Sequence, residues 1–317
     1  MYNSLSYRVK IFAAAAAVAL ASPFLVSCFT GVESTPKITA KDVKKRHATQ
    51  TPEEAYTADV AGQPVAEWKP GKEWRVTDDR IGLVFQPLRT GGYAGGLAGK
   101  DIVLDSVCAV TGITGERETQ IVLHAPDGTP LIYRSSVPYA DFLRRKSFDI
   151  PFTVEHSLVD NMRGLLAGNR YYILVSRRQD AAGRETTGLR YMPVTVLDVL
   201  PGDDLRPLRV LFRNSDGKTE SLMMTCGSGR TATRNFATLF AFDDPRRRYP
   251  TITDKVWNLI KHSKVREDMT PVECRLALGA PDEYTQVPST GGMVELWKYD
   301  NGMYLRFDDG RLTAFRM

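Results

Sequence analysis

Apolar and polar residues divide the chain into segments of different character, and the first of these is short. Arg8 and Lys10 give the N-terminus positive charge without any acidic residue, and residues 11–20 then form an apolar run rich in Ala and Val. A membrane-spanning helix needs about 20 apolar residues, so this run is too short to span comfortably. A charged start, a short apolar run and a small-residue exit predict a secretory signal peptide over residues 1–27.

Residues 28–67 are mainly polar, with Thr, Lys, Glu and Pro and few large apolar side chains. This composition predicts a flexible tether. A basic run at residues 41–46 lies within it, and two interpretations of that run stay open. It is either solvated charge or a contact with anionic lipid headgroups, to which each Lys or Arg near the surface contributes about 1 kcal/mol.

Residues 68–245 contain short apolar runs bounded by turn residues, which is the pattern of antiparallel β-strands. The clearest case is a hairpin in which residues 120–123 and 131–133 flank a Pro-Asp-Gly turn at residues 126–128. The predicted strands are residues 81–85, 101–110, 120–123, 131–133, 148–154, 170–176, 189–199, 208–213 and 219–225.

One amphipathic helix is predicted among these strands, at residues 157–167, with Ser157 as its cap and Gly168 after its end. A similar sequence precedes a strand at residues 97–100 and again at residues 166–169, and an Asp-Gly turn follows each of them. This similarity leaves two arrangements open for the β-rich region. It is either one domain or two tandem, small, barrel-like units.

Residues 250–317 carry their own helix and turn signals. Thr253 can cap a first helix, and Thr270 with Glu273 forms a capping box at the start of a second. Gly279 is expected to end the second helix as a left-handed cap. Three strands follow, at residues 295–299, 303–307 and 311–316. The chain is therefore predicted to be α+β, with a β-rich region of antiparallel strands followed by a module of two helices and a three-stranded meander.

The last 65 or so residues also carry a family motif, in the run DMTPVECRLALGAPDE and then ELWKYDNGMYLRFDDGRLTAFRM. These runs resemble the SmpA/OmlA family, the small BamE-like lipoproteins of the outer-membrane β-barrel assembly machinery. Asp268 replaces the usual Gly, and Cys274 takes the place of a core aliphatic residue. The matching residues are Met269, Thr270, Leu278, Gly279, Pro281, Trp297, Tyr299, Phe307 and Gly310.

The resemblance implies a fold more than an activity, because the matching residues are mainly structural. The same fold recurs in β-lactamase-inhibitor proteins, where it forms an inhibitory binding surface, so the resemblance implies a docking module. The whole chain is similar to lipoproteins of the Bacteroides group, which implies no activity.

The end of the signal peptide carries the most specific chemistry. Leu25, Val26, Ser27 and Cys28 resemble a lipobox, in which a thioether holds a diacylglyceryl group on the Cys sulfur and cleavage follows in front of it. Several acyl chains anchor a protein far better than one, at about 0.8 kcal/mol per buried methylene. We therefore expect an exported lipoprotein, palmitoylated at Cys28 and anchored in the cell envelope. Phe29 favours delivery to the outer membrane.

Net charge and cysteine content exclude some partners and leave others open. Without its signal peptide the chain has a net charge of about +3, too weak for a typical nucleic-acid-binding face. Cys108, Cys226 and Cys274 remain after lipidation, so at least one thiol stays free, and a disulfide between Cys108 and Cys226 is left open. The oligomeric state is also left open.

The sequence predicts no catalytic, cofactor-binding or metal-binding residue. The Gly-rich segment at residues 89–101 lacks the phosphate-binding pattern, and Cys226 with His124 or His156 is the one conceivable thiol–imidazole pair. We therefore expect a non-enzymatic envelope lipoprotein that binds another envelope protein or serves as an assembly module. The alternative is an envelope hydrolase or glycan-processing enzyme with its site in the β-rich region.

Replacing Cys28 with Ser should abolish lipidation, because an oxygen in place of the sulfur cannot form the thioether. We expect the variant to lose incorporated palmitate and to leave the detergent phase on partitioning, whereas Cys108→Ser should keep both properties. Unchanged partitioning of the Cys28→Ser protein would contradict the lipobox assignment.

Overall fold

The computed structural model describes residues 50–86, 96–112, 115, 117–227, 234–289 and 292–316. The signal peptide, Cys28 and the basic run at residues 41–46 lie outside the described residues. No helix within the described ranges is both long and apolar enough to cross a membrane. The fold of this part is α+β and rich in antiparallel strands, as the sequence predicts.

Six α-helices are described, and the shorter ones amount to about a single turn. They are α1 (Pro52–Tyr56), α2 (Tyr139–Phe142), α3 (His156–Leu166), α4 (Phe236–Leu239), α5 (Asp254–Lys261) and α6 (Pro271–Leu278). Three 3-10 helices accompany them, at Val65–Glu67, Asp79–Leu83 and Pro245–Arg248.

The first sheet has the strand order β2-β5-β4-β3-β1-β6, and its pairings are antiparallel. Its strands are β1 (Glu73–Val76), β2 (Phe85–Gln86), β3 (Asp101–Thr111), β4 (Arg117–His124), β5 (Pro130–Pro138) and β6 (Thr153–Glu155). Ile121 and Leu123 alternate with partly exposed residues along β4 and reach the core with Trp74 and Phe142. The predicted hairpin joins β4 to β5, with Gly128 at φ +81° in its turn.

The second sheet has the order β13-β7-β10-β11-β12-β8-β9, and α3 covers one of its faces. Its strands are β7 (Arg170–Ile173), β8 (Arg177–Asp180), β9 (Glu185–Thr187), β10 (Met192–Pro201), β11 (Leu208–Arg213), β12 (Thr219–Met224) and β13 (Phe240–Ala241). Val159 and Met162 of α3 are fully buried against Val210 and Phe212 of the sheet. The helix predicted at residues 157–167 is confirmed, but Glu155 is its N-cap in place of Ser157.

The third sheet is a meander of four strands, one more than predicted, in the order β14-β15-β16-β17. Its strands are β14 (Glu283–Ser289), β15 (Gly292–Lys298), β16 (Tyr304–Asp308) and β17 (Arg311–Arg316). Helices α5 and α6 pack on one face, around Trp297 and Phe307. Every residue of β14 is exposed and Pro288 lies within it, so the strand has no apolar alternation by which the sequence could reveal it.

The caps of α6 follow the sequence prediction closely. Thr270 and Glu273 form the capping box in both directions, and Cys274 is buried in the core, where an aliphatic residue was expected. Gly279 ends the helix with φ +94° and ψ −174°. Its φ is positive as predicted, but ψ differs from the left-handed helical value, and this combination is essentially restricted to glycine.

Two predicted strands differ from the structure. Residues 81–83 belong to a 3-10 helix at Asp79–Leu83, whose N-cap is the side chain of Asp78. Val84 ends that helix, and only Phe85 belongs to a strand, β2. Of residues 148–154, only the last two are extended, within β6. In both places the short apolar run belongs to a turn or loop that packs on the core. A short apolar run alone does not distinguish such a segment from a strand.

The tether predicted to end at residue 67 ends earlier. Helix α1 begins at Pro52, and Tyr56 within it packs against Phe236 at a ring-centroid distance of 5.1 Å. Val65 is 2% exposed, in the core of the first sheet. Residues 51–67 therefore contribute to the folded unit, and the expected tether beyond them, residues 28–49, lies outside the described residues.

Each of the first two sheets contains a three-stranded meander that closes with an Asp-Gly hairpin, β3-β4-β5 and β10-β11-β12. The similar segments at residues 97–100 and 166–169 do not occupy corresponding places in these meanders. Residues 97–100 lead into the first strand of a meander, whereas residues 166–169 lead into β7, which precedes one. Whether residues 68–245 make one domain or two stays open.

The C-terminal layer also contacts the second sheet's β9–β10 loop. Arg190 donates to the carbonyl of Ala277 at 2.6 Å, and the Tyr191 hydroxyl donates to that of Leu276 at 2.7 Å. Tyr191 itself belongs to the core that Trp297 occupies. A fragment limited to residues 250–317 would therefore lose these two hydrogen bonds and the packing of Tyr191.

Two glycines have open space where an added Cβ would lie, and they should respond oppositely to substitution by Ala. Gly279 has positive φ, so Gly279→Ala should lower the free energy of unfolding by about 1–3 kcal/mol through backbone strain. Gly164 lies exposed within α3 without such a φ, so Gly164→Ala should raise it by about 0.5–1 kcal/mol. Urea unfolding measures both, and equal changes of the same sign would contradict the assigned conformation of Gly279.

Candidate functional site

The conceivable thiol–imidazole pair is not formed. Ring nitrogens of His124 and His156 lie 2.7 Å and 2.8 Å from the carboxylates of Asp105 and Asp101, respectively. Burial, with a smaller contribution from the charge of Asp149, raises the pKa of Cys226 to about 12. A thiol with that pKa stays protonated at neutral pH and is a poor nucleophile.

The other cysteines are also free thiols in the structure. Cys108 and Cys226 do not form the disulfide that the sequence leaves open. Cys274 is fully buried, and burial together with the nearby Glu273 raises its pKa to about 12. Within the described ranges no group of three or more His, Cys, Asp or Glu side chains could hold a metal ion.

The Gly-rich segment holds an anion, but that anion belongs to the protein. The backbone N–H groups of Gly96, Leu97 and Ala98 donate to a single oxygen of Asp79, at 2.8, 2.8 and 2.9 Å. These hydrogen bonds lower the pKa of the Asp79 carboxyl. Residues 87–95 lie outside the described residues. The described end of the segment is therefore a nest for an internal carboxylate, which ties it to the 3-10 helix at Asp79–Leu83.

A buried ion pair joins distant parts of the β-rich region. Lys72 Nζ lies 2.5 Å from Glu155 Oε1, and the two side chains are 6% and 8% exposed. Glu155 also accepts from the backbone N–H of Gln63 at 2.6 Å and from the Ser157 hydroxyl. The ammonium lies 5.5 and 5.1 Å from the ring centroids of Trp68 and Trp74. We refer to Gln63, Lys72, Glu155 and Ser157 as the Lys72 cluster.

The Lys72 cluster contains the groups of a Ser–Lys dyad. Lys72 Nζ donates to Ser157 Oγ at 3.0 Å, which is the distance of a nucleophile and its base. A carboxylate and two indole faces surround the ammonium, and all three stabilise its positive charge. Lys72 donates hydrogen bonds to Gln63, Glu155 and Ser157, so the cluster joins the three segments that carry these residues to β1.

A polar triad adjoins this cluster at the surface. His156 Nε2 and Arg75 Nε both lie close to Asp101 Oδ1, at 2.8 and 2.7 Å, and Arg75 Nη2 reaches the second oxygen at 3.0 Å. A cavity of about 370 Å³ lies beside it, lined partly by His156, Ser157 and Lys72. Both Asp101 oxygens are thus occupied by protein groups, and the triad holds the start of α3 against β1 and β3.

Other charged side chains cap turns. Asp203 accepts from the backbone N–H groups of Leu205 and Arg206 and pairs with the Arg206 guanidinium at 2.8 Å. Asp244 caps the 3-10 helix at Pro245–Arg248, and Arg246 within it pairs with Asp254 at 2.8 Å. Each of these contacts is local along the chain.

The third sheet leaves one apolar face uncovered. Trp297 and Leu305 point to the helices and are buried, so their neighbours Leu296 and Tyr304 point the other way and are 37% and 42% exposed. Strand pairing places Val294 and Val287 on that same side. We call Val287, Val294, Leu296 and Tyr304 the outer face. A shallow cavity of about 360 Å³ adjoins it, lined in part by Leu296, Met303 and Tyr304.

Exposed apolar side chains concentrate on this sheet. Five of the ten large hydrophobic side chains that are exposed in the described ranges belong to it, although it holds less than a tenth of the chain. Val287, Leu296 and Tyr304 lie on the outer face, and Tyr284 and Met293 lie on the other side.

Two ion pairs lie on the same side of the sheet, Glu283 with Lys298 at 2.9 Å and Arg306 with Asp308 at 3.0 Å, and Arg306 is the strand partner of Leu296. Exposed apolar side chains with polar and charged neighbours are typical of a protein interaction surface.

Comparison of the chain with protein-family models, curated proteins and solved structures finds no match. The function must therefore be argued from the residues and their geometry.

Sequence reasoning missed the Lys72 cluster, because its two charged members are separated by 83 residues and lack any local pattern. It also missed the outer face as a surface. The alternation of Leu296 with Trp297 shows that β15 has two different faces, but not which of them the helices cover.

Replacing Glu155 with Gln should lower the free energy of unfolding by about 3 kcal/mol, because a buried ammonium then lacks its counter-charge. Adding Lys72→Met should recover part of this loss, since the charge itself is removed. Glu267→Gln, at an exposed carboxylate, is the matched control and should change stability little. Urea unfolding of the parent, the two Glu155 variants and the control tests this. A double variant less stable than Glu155→Gln would contradict the role assigned to the ion pair.

Proposed function

We propose that the protein is a non-enzymatic lipoprotein of the cell envelope, anchored through Cys28, that binds another envelope protein with the outer face of its third sheet. The observation that carries the proposal is the uncovered apolar side of the sheet, with Leu296 and Tyr304 at its centre. A partner that covered these side chains would gain about 25 cal/mol of binding free energy for each Å² of apolar surface removed from water.

The lipobox and the family resemblance support the same proposal from the sequence. A signal peptide over residues 1–27 and lipid on Cys28 would place the folded unit beside a membrane, with delivery to the outer membrane favoured by Phe29. The BamE-like motif spans α6 and the third sheet, so the proposed docking face lies within the resembling segment. In this proposal residues 250–317 form the docking module, and the β-rich region adjoins it.

The proposed partner is a protein with a complementary apolar patch and polar groups at its edge. The charged pairs on this face favour such a partner over a lipid surface, because Glu283 with Lys298 and Asp308 with Arg306 have no net charge to attract anionic headgroups. No observation comparably favours the hydrolase alternative, because the side chains of Lys72, Glu155 and Ser157 are hydrogen-bonded to one another.

A charged residue on the outer face should weaken partner binding without unfolding the protein. Leu296→Asp places a carboxylate at the centre of the interface, where its desolvation opposes association, and should weaken binding at least tenfold. Leu205→Asp is the control, because Leu205 is 81% exposed and lies far along the chain from the third sheet.

To find the partner, a photo-crosslinking residue replaces Thr285, which lies opposite Leu296 on β14. The crosslink is then made in the native envelope. The partner captured by the crosslink is then identified and purified, and its affinity for the parent protein and for both variants is measured. Crosslinking to a second copy of the same chain, or equal affinity of the Leu296→Asp and parent proteins, would overturn the proposed partner.

A further inference from the structure

The second sheet has a cleft on the face that α3 does not cover. Leu222 and Met224 of β12 point to the core with α3, so Ser221 and Met223 point to the opposite face. Strands β8, β9 and β12 form the floor of a cavity of about 580 Å³ on that face.

Three guanidinium groups converge on this cavity. Arg177 reaches it from β8, Arg206 from the loop between β10 and β11, and Arg234 from the segment before α4. We call these three residues the arginine cleft. They lie 57 positions apart in the sequence at most, and the fold brings them together from three separate elements.

Charge in the arginine cleft is not balanced by the described residues. Arg206 pairs with Asp203, but no described carboxylate lies within 4.0 Å of the Arg177 or Arg234 guanidinium. Glu185 is the one acidic residue among those that line the cavity. By contrast, the buried cations Lys72 and Arg178 each have a carboxylate partner, at 2.5 and 2.8 Å, although Arg178 also lines this cavity.

Arg234 is fixed in place and partly withdrawn from water. Its Nε donates to the carbonyl of Met223 at 3.1 Å, which leaves the rest of the guanidinium available. Burial, followed by the positive charge of Arg206, lowers the pKa of the Arg234 side chain. Both effects cost free energy that a bound anion would offset.

The chemistry of the cleft favours a ligand with several oxygens on one centre. Guanidinium groups are planar and donate two parallel hydrogen bonds to an oxyanion, and a phosphate group can accept from more than one of them. The cavity is larger than a single phosphate, and its polar lining includes Gln179 and Ser221, whose hydroxyl accepts from Arg209 Nε at 3.1 Å. We propose that the arginine cleft binds a phosphate-bearing small molecule or lipid headgroup.

Binding is tested with two soluble probes, inorganic pyrophosphate and short-chain phosphatidylglycerol below its micelle concentration, on the purified full-length protein by titration calorimetry. Arg177→Gln and Arg234→Gln should each weaken binding about tenfold or more, the usual worth of a charge-assisted hydrogen bond. Arg177 is exposed and its substitution should not affect folding, so that variant keeps the test valid if Arg234→Gln misfolds.

The matched control is Arg213→Gln, which removes an equal charge from an exposed position on β11 outside the cleft. It should change the affinity less than twofold. Affinity for pyrophosphate that depends on Arg177 would indicate a free phosphorylated ligand, and affinity for phosphatidylglycerol alone would indicate a headgroup. Lack of binding of both probes, or equal losses in all three variants, would overturn the proposed site.

Discussion

The ion pair between Lys72 and Glu155 lies where two of the three cores meet. Glu155 is the last residue of β6 in the first sheet and the cap of α3, which covers the second sheet. Its carboxylate also accepts from Gln63, and so fixes the segment that precedes β1. An unpaired charge at such a depth would cost several kcal/mol, so the position of α3 depends on both partners being in place.

Local signals in the sequence predict much of the fold, and long-range pairings account for most of the rest. The capping box of Thr270 and Glu273 and the Asp-Gly turn before β5 were predictable because each is contained within a few residues. Strand β14 was not, since a strand exposed on all its residues lacks apolar periodicity. Residues 51–67 are polar in composition, but Tyr56 and Val65 suffice to pack them on the cores.

The candidate sites were less predictable than the fold. The apolar residues of the outer face alternate visibly along β15, but only the positions of α5 and α6 decide which side stays uncovered. The arginine cleft draws on three elements that the sequence keeps apart, and single arginines are common at exposed positions. What marks these three is their convergence on one cavity, and for Arg177 and Arg234 the lack of a described carboxylate partner, which depends on tertiary structure.

Charged groups thus serve two purposes in this molecule. Lys72 with Glu155 and Arg178 with Glu220 are buried and matched, and they position strands and loops. In the arginine cleft only Arg206 pairs with a described carboxylate, and a bound anion would balance the remaining positive charge. The outer face differs from both, because its charges lie in exposed pairs among apolar side chains.

Pro288 has a consequence for the third sheet as a whole. A meander has two edge strands, and an edge with free N–H and C=O groups can pair with another sheet and grow into an ordered aggregate. Strand β14 is one of these edges, and Pro288 within it has no N–H to donate. A continuous ladder therefore cannot form along that edge, which lets the sheet keep an apolar side exposed with less risk of polymerisation.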